Sequence, residues 1–225
     1  MVKFEKYLQE TYFFDYNRSK VKNKAMELTE NLGDKFEKIK ALFYWVRDEI
    51  KYNMMSYVPE IKANFKASVT LRRGYGFCVS KAILLSTFAR VIKIPARIHL
   101  ADIINHKISR KVIDFMGTNV MHYHGYSEIF LDDKWLKLAP VFDKETAKKA
   151  GFLPLVDFDE NKNAMFSKYD NEGNLFVEYI KDYGSYPDLP LDTIKKVFRE
   201  KYGNLFEGGL KVDPIEDKKI TYRGD

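Results

Sequence analysis

The stretch "RRGYGFCVSKA", residues 72–82, holds Cys78, the only cysteine in a chain of 225 residues. Two glycines precede it and an apolar helical pattern follows. The pattern predicts a helix from about Cys78 to about Val91. Ala82, Leu85 and Ala89 share the side of Cys78, and Ile83, Leu84 and Phe88 broaden the apolar surface. A helix this apolar is buried on most sides. A cysteine in its first turn meets unpaired backbone N–H groups and the positive end of the helix dipole. Both favour thiolate, so the expected thiol pKa lies below about 8.5. The same N–H groups can hold an oxyanion. Gly74 and Gly76 are expected to let the chain turn tightly and leave the sulfur accessible. A single cysteine is more often an inert core residue. Chemistry at Cys78 therefore requires a base, and the base requires a group to orient it.

Working outward, residues 34–50, "DKFEKIKALFYWVRDEI", form the clearest helix. Asp34 and Glu37 fit a capping box. Phe36, Ile39, Leu42, Phe43, Val46 and Ile50 make one apolar stripe at helical spacing. Residues 51–71, with Pro59, read as a connection with short turns. After the Cys78 helix, a strand is expected from about Ala96 to Ile104, then a loop over 105–121. Next come two strands, "HGYSEIFL" (124–131) and "WLKLAPVF" (135–142), joined by a tight turn at "DDK". Helix, helix and then three strands argue for an α+β fold, with an antiparallel sheet packed on a buried, nucleophile-bearing helix. Residues 163–180 read as a hairpin turning at Asp170–Asn174, and 190–203 as a helix. The "DNEGN" of that turn lacks the spacing of a calcium loop and reads as a turn. Arg223–Asp225 spells a chance tripeptide. The expected organisation is a single domain, 1–225, with a core over 34–145 and a C-terminal extension, hairpin plus helix, over 146–225.

Composition narrows the class. The net charge of +6 comes from lysines spread along the whole chain, which argues for a solvated basic surface rather than a nucleic-acid groove. One cysteine allows no internal disulfide, which suits a reducing compartment. No apolar run approaches the roughly 18 residues of a membrane span. The charged start, "MVKFEKYLQE", does not read as a signal peptide. The sequence therefore predicts a cytoplasmic protein without a membrane association. No Cys/His cluster or glycine-rich phosphate loop offers a metal or cofactor site, so no cofactor is expected.

A base for Cys78 is available in "HGYSEIFLDDKWLKLAPVFD", residues 124–143. The full spread comprises Trp45-Val46-Arg47, Ile50 and Tyr52, then Gly76-Phe77-Cys78 and Ala82. Arg90 and "KIPAR" (93–97) follow, then His124, Tyr126 and Glu128, then Trp135. In this order it resembles the transglutaminase-like superfamily, the papain-like thiol fold, over about residues 35–145. The resemblance implies Cys78 as nucleophile and His124 as base. Two positions depart from the pattern. Phe77 stands where members often carry an acid, and Ala139 stands where the strand aspartate is usual.

The third position of a triad is thus open, and strand parity nominates Asp143. If the turn falls at Asp133-Lys134, His124 faces Asp143 and Glu128 faces Ala139. A turn shifted by one residue puts Val141 opposite His124. Glu128 lies about 13 Å along the strand from His124, too far to orient it. His122 is the competing base; Asp102 and Asp114 are alternative acids with no register argument. Tyr75, Tyr126 and Trp135 are candidates for lining the substrate cleft, and Arg97 is expected to pair with a carboxylate inside the fold. The implied activity is a cysteine-dependent hydrolase of amide or peptide bonds, acting through a thioester on a protein, peptide or small amide. A transamidating enzyme and a catalytically degenerate binding module are the alternatives. Oligomeric state is not legible.

Overall fold

The computed structural model describes residues 4–57, 61–159 and 162–203. Pro59 and Arg223–Asp225 lie outside the described residues. The layout follows from one helix. Helix α4, Cys78–Val91, begins at the residue the sequence nominates, and every residue from Val79 to Arg90 is buried. Three helices cover one side of it: α1 (Ser19–Glu27), α2 (Lys35–Glu49) and α3 (Ala67–Arg73). Asp34 caps α2 by accepting from the N–H groups of Phe36 and Glu37. A four-stranded antiparallel sheet covers the other side, in the order β5-β4-β3-β6. Its strands are β3 (Ala96–Asn105), β4 (Val120–Leu131), β5 (Lys134–Leu138) and β6 (Val177–Tyr186). The α+β core with a buried helix on an antiparallel sheet is therefore as the sequence predicts.

Two short strands set the cysteine in place. β1 (Lys51–Tyr52), directly after α2, pairs in parallel with β2 (Tyr75–Gly76), directly before α4. Lys81, one turn into α4, is wholly buried. Its ammonium donates to the carbonyls of Arg47 (2.9 Å) and Ile50 (2.5 Å), closing the C-terminal end of α2. Burial draws its pKa down to about 7. Together these contacts pin the first turn of α4 to the end of α2.

Several segments depart from the sequence expectation. The supposed loop 105–121 contains helix α5, Arg110–Met116, capped by Ser109. β4 starts at Val120, four residues before His124. The β4–β5 turn is Asp132-Asp133, both with left-handed backbone (φ 44° and 61°), the geometry of a two-residue hairpin turn. Glu128 therefore pairs with Lys137 rather than Ala139. β5 ends at Leu138, before Pro140, which has no N–H for the ladder.

The chain then forms α6, Lys144–Ala150. The turn at Asp170 is present: its carboxylate accepts from the N–H groups of Glu172 and Asn174 and pairs with Lys107. The expected hairpin around it shrinks to one bridge, Tyr169–Leu175, and the outgoing strand instead joins the main sheet as β6. Helix α7, Leu191–Lys201, follows. The buried Arg90 ties the late segment to the core, donating to the carbonyls of Ala96, Gln9 and Pro187.

Candidate active site

Cys78 is the first residue of α4. Gly74 has φ of +69° and ends α3 in the left-handed conformation that glycine adopts readily. Gly76 serves space rather than turning: a Cβ there would land on Ser80 Oγ, which accepts the Phe77 N–H at 3.0 Å. Gly125 follows His124 on β4 and lets that strand approach α4. A Cβ at Gly125 would lie 2.9 Å from Val79 Cγ2 and 3.0 Å from Val79 Cα.

Cys78 and His124 line one cavity of about 80 Å³, with His122 beside them. The rest of the lining is apolar or aromatic, and includes Met54, Met55, Met116 and Met121. Tyr52 reaches it from β1, and Phe198 and Tyr202 reach it from the α7 end of the chain. None of the three predicted cleft residues lines this cavity. Tyr75 lies against Arg73. Tyr126 stacks on His99. Trp135 packs on Arg97, Tyr7 and Phe130. The methionines of 54–55 and 116–121 fell in segments with no readable period, so the sequence offered no signal for them.

The electrostatics differ from the sequence expectation. Burial pushes the Cys78 thiol up to about 11. Backbone N–H groups of Gly125, Val79 and Cys78 act in the opposite direction and are outweighed. This direction is opposite to the low thiol pKa expected from the sequence: the helix terminus is present, but burial outweighs it, although Cys78 is only partly buried and faces the cavity. Burial likewise draws His124 down to about 3. His124 is 2% exposed, its ring lies near those of Phe166, Tyr126 and Tyr179, and its Nε2 has no hydrogen-bond partner among the described residues. Burial thus favours the neutral form of each group, thiol and imidazole.

These shifts fix a pH dependence of stability. The folded His124 pKa lies below the ordinary 6.5, so its contribution is full above about 6.5 and is lost as pH falls towards 3. The folded Cys78 pKa lies above 9.0, so its contribution is full below about 9 and is lost as pH rises towards 11. Urea midpoints across pH should therefore decline at both ends. His124→Phe should flatten the acid limb and Cys78→Ala the alkaline one.

Asp143 does not orient His124 in this structure. It is the N-cap of α6 and is fully buried. Its carboxylate accepts from Tyr52 N–H (2.8 Å), Thr146 N–H (3.1 Å) and the Thr146 hydroxyl (2.7 Å). No hydrogen bond joins it to His124 among the described residues. The physical reason is the early end of β5, which carries residues 139–143 off the ladder. Asp143→Ala should cost about 1–3 kcal/mol, through the lost cap and an orphaned Tyr52 N–H, with the pH profile of Cys78 alkylation left in place. Denaturation and iodoacetamide rates measure the two effects.

Glu128 belongs to a separate network. Arg97 (2.6 Å), His99 (3.1 Å) and Ser185 (2.6 Å) contact its carboxylate. Burial works to raise its pKa, but these partners outweigh it and hold the group at about 2. His122 Nδ1 lies 3.0 Å from Asp102. No group of three or more metal-binding side chains occurs among the described residues.

A sequence profile of the transglutaminase-like superfamily matches residues 22–140, more than half of the chain. The chain belongs to that superfamily. Among solved structures, it is similar to one from Cytophaga hutchinsonii provisionally named a cysteine protease. The TM-score is 0.53 at 14% identity, over 84% of this chain and 48% of that one. It also matches a structure provisionally named a protease from Parabacteroides distasonis, with TM-score 0.39 and 18% identity, over 60% of this chain and 25% of that one. A structure named a TGase matches with TM-score 0.39 and 14% identity, over 63% of this chain and 33% of that one. The chain thus spans about half the length, or less, of these structures. No curated protein matches it. Among the described residues, no helix is long and apolar enough to cross a membrane.

Proposed function

We propose that this chain is a thiol hydrolase of amide or peptide bonds. The observation that carries the reading is the shared cavity: a helix-start cysteine and a buried histidine, with an unpartnered Nε2, line the same apolar space. Cys78 sulfur attacks the carbonyl carbon of the substrate. Its proton passes to His124, and the Cys78 N–H helps hold the oxyanion. Thiolate and imidazolium form together, so each charge offsets the other in a site that disfavours either alone. His124 then hands the proton to the leaving amine, and a thioester remains on Cys78. Asp143 acts as a positioning residue, locking Tyr52 at the cavity rim to α6.

The acyl part of the substrate is apolar. A charged group among the methionines and aromatic rings would lose its water without gaining a partner. A peptide, protein or small amide with an apolar group beside the scissile carbonyl fits; membership of the superfamily supports a cysteine-type reaction in general.

A second reading, a binding module, draws on the raised thiol pKa and on Ala139 at the aspartate position. Incubation with p-nitrophenyl butyrate, with and without cadaverine, separates the readings. Release of butyrate supports the hydrolase and butyryl-cadaverine the transamidase. Neither product above the Cys78→Ala background supports the binding module.

A further inference from the structure

His122 is a second acid–base group on the same cavity, and the reaction above gives it no task. It stands two residues before His124, where the strand pairing breaks. Ala101 pairs with His124 and Ile103 with Met121, so His122 and Tyr123 together stand opposite Asp102. Tyr123 takes a left-handed backbone, φ 52°, to allow this. Such bulges re-aim side chains next to active sites.

Here the bulge brings His122 Nδ1 to 3.0 Å from Asp102 Oδ2. Asp102 is 5% exposed and held on every side. Its Oδ1 accepts the Tyr123 N–H at 3.0 Å, and its Oδ2 accepts the Tyr183 hydroxyl at 2.8 Å. Tyr202 closes the far side. Its ring centroid is 5.5 Å from that of His122, and its hydroxyl accepts the His122 backbone N–H. The tautomer that donates Nδ1–H to the carboxylate leaves Nε2 as an acceptor. A carboxylate on one ring nitrogen, with the residue lining a cavity, is the arrangement a general base uses.

His124 lacks that arrangement. It can share a proton with a thiolate beside it, but the thioester has no thiolate. An imidazolium at His124 would then stand among Phe166, Tyr126 and Tyr179 with no carboxylate partner.

We propose that His122, oriented by Asp102, is the general base of deacylation. The inference rests on the reading of Cys78 as the acylated nucleophile. Water adds to the thioester carbonyl as His122 Nε2 takes its proton, and a C–O bond forms. The C–S bond then breaks, the electron pair stays on sulfur, and the imidazolium returns the proton to give the free thiol. The products are the carboxylic acid and the starting enzyme. Acylation runs through His124 and deacylation through His122.

The test is stopped-flow release of p-nitrophenol from p-nitrophenyl butyrate, with intact-mass detection of the acyl-enzyme. In His122→Ala and His122→Gln the first turnover should slow far less than the later ones. Steady-state turnover should fall about 10²-fold, and butyryl-enzyme should accumulate. Asp102→Asn should shift the balance the same way. Added imidazole should restore deacylation of His122→Ala, which loss of a merely structural side chain would not allow. Deacylation at the wild-type rate in the His122 variants would overturn the inference and leave the nucleophile reading standing. So would equal loss of both phases without imidazole rescue. Absence of any acyl-enzyme in wild type and variants would overturn the nucleophile reading, and this inference with it.

Discussion

Replacing His124 with alanine should slow acylation of Cys78 at pH 7 by about 10²–10⁴-fold. The size follows from the thiol. Burial raises the thiol pKa, so little thiolate is present at pH 7 and the nucleophile has to be made during the attack. Burial leaves His124 neutral at that pH and able to accept the proton. Without it, the thiol depends on its own ionisation. The residual rate of His124→Ala should therefore climb about tenfold per pH unit, towards about 11, whereas the wild-type rate should be flatter across the neutral range. Burst kinetics with p-nitrophenyl butyrate measure both profiles. Parallel profiles would mean that His124 takes no proton. The variant should fold, since alanine removes a buried, unpartnered nitrogen; the emptied volume costs stability without exposing the site.

Gly125→Ala should be disruptive for a change of a single methyl. The added Cβ meets Val79 Cγ2 at 2.9 Å and Val79 Cα at 3.0 Å. The second of these atoms is backbone, so no rotamer change relieves the clash. Either β4 or the first turn of α4 has to move, and Cys78 and His124 sit at that junction. The expected cost is about 1–3 kcal/mol of stability from overpacking. Relieving that backbone contact takes a shift of a few tenths of an ångström, and a shift of that size at the reacting groups should slow acylation by about tenfold. Urea denaturation and burst amplitude report the two losses. Val79→Ala in the same chain removes Cγ2 and should recover part of the stability, while the clash with the backbone of residue 79 remains. Full recovery of the acylation rate in that double variant would show that side-chain crowding, rather than backbone displacement, sets the loss.

The fold was legible where the pattern is local. The α2 stripe, the α4 start at Cys78 and strand β3 follow from periodicity and glycine placement, because burial on one or all sides writes itself into spacing. That Cys78 and His124 line one cavity is in keeping with the family resemblance that nominated them. Asp143 failed as a partner of His124 because the turn sits one residue earlier than assumed, and because Pro140 stops the strand before the register applies. Lys81 was invisible: a lysine inside an apolar helix gives no sign that two carbonyls of another helix await it. The depth of the sulfur was equally hidden. A helix start argues for thiolate, and burial, which acts the other way, depends on packing in three dimensions. Asp102 and His122 lie 20 residues apart and meet through a bulge that no alternation pattern announces.

The residue that carries the acyl group is the most direct test of the account. Wild-type protein is mixed with p-nitrophenyl butyrate, quenched in acid, weighed intact and mapped by peptide fragmentation. One butyryl group on Cys78 is the expected result, formed by the folded protein and lost on reaction with water. An adduct confined to lysines, or one that reaches Cys78 only after unfolding, would contradict the assignment of Cys78 as the nucleophile.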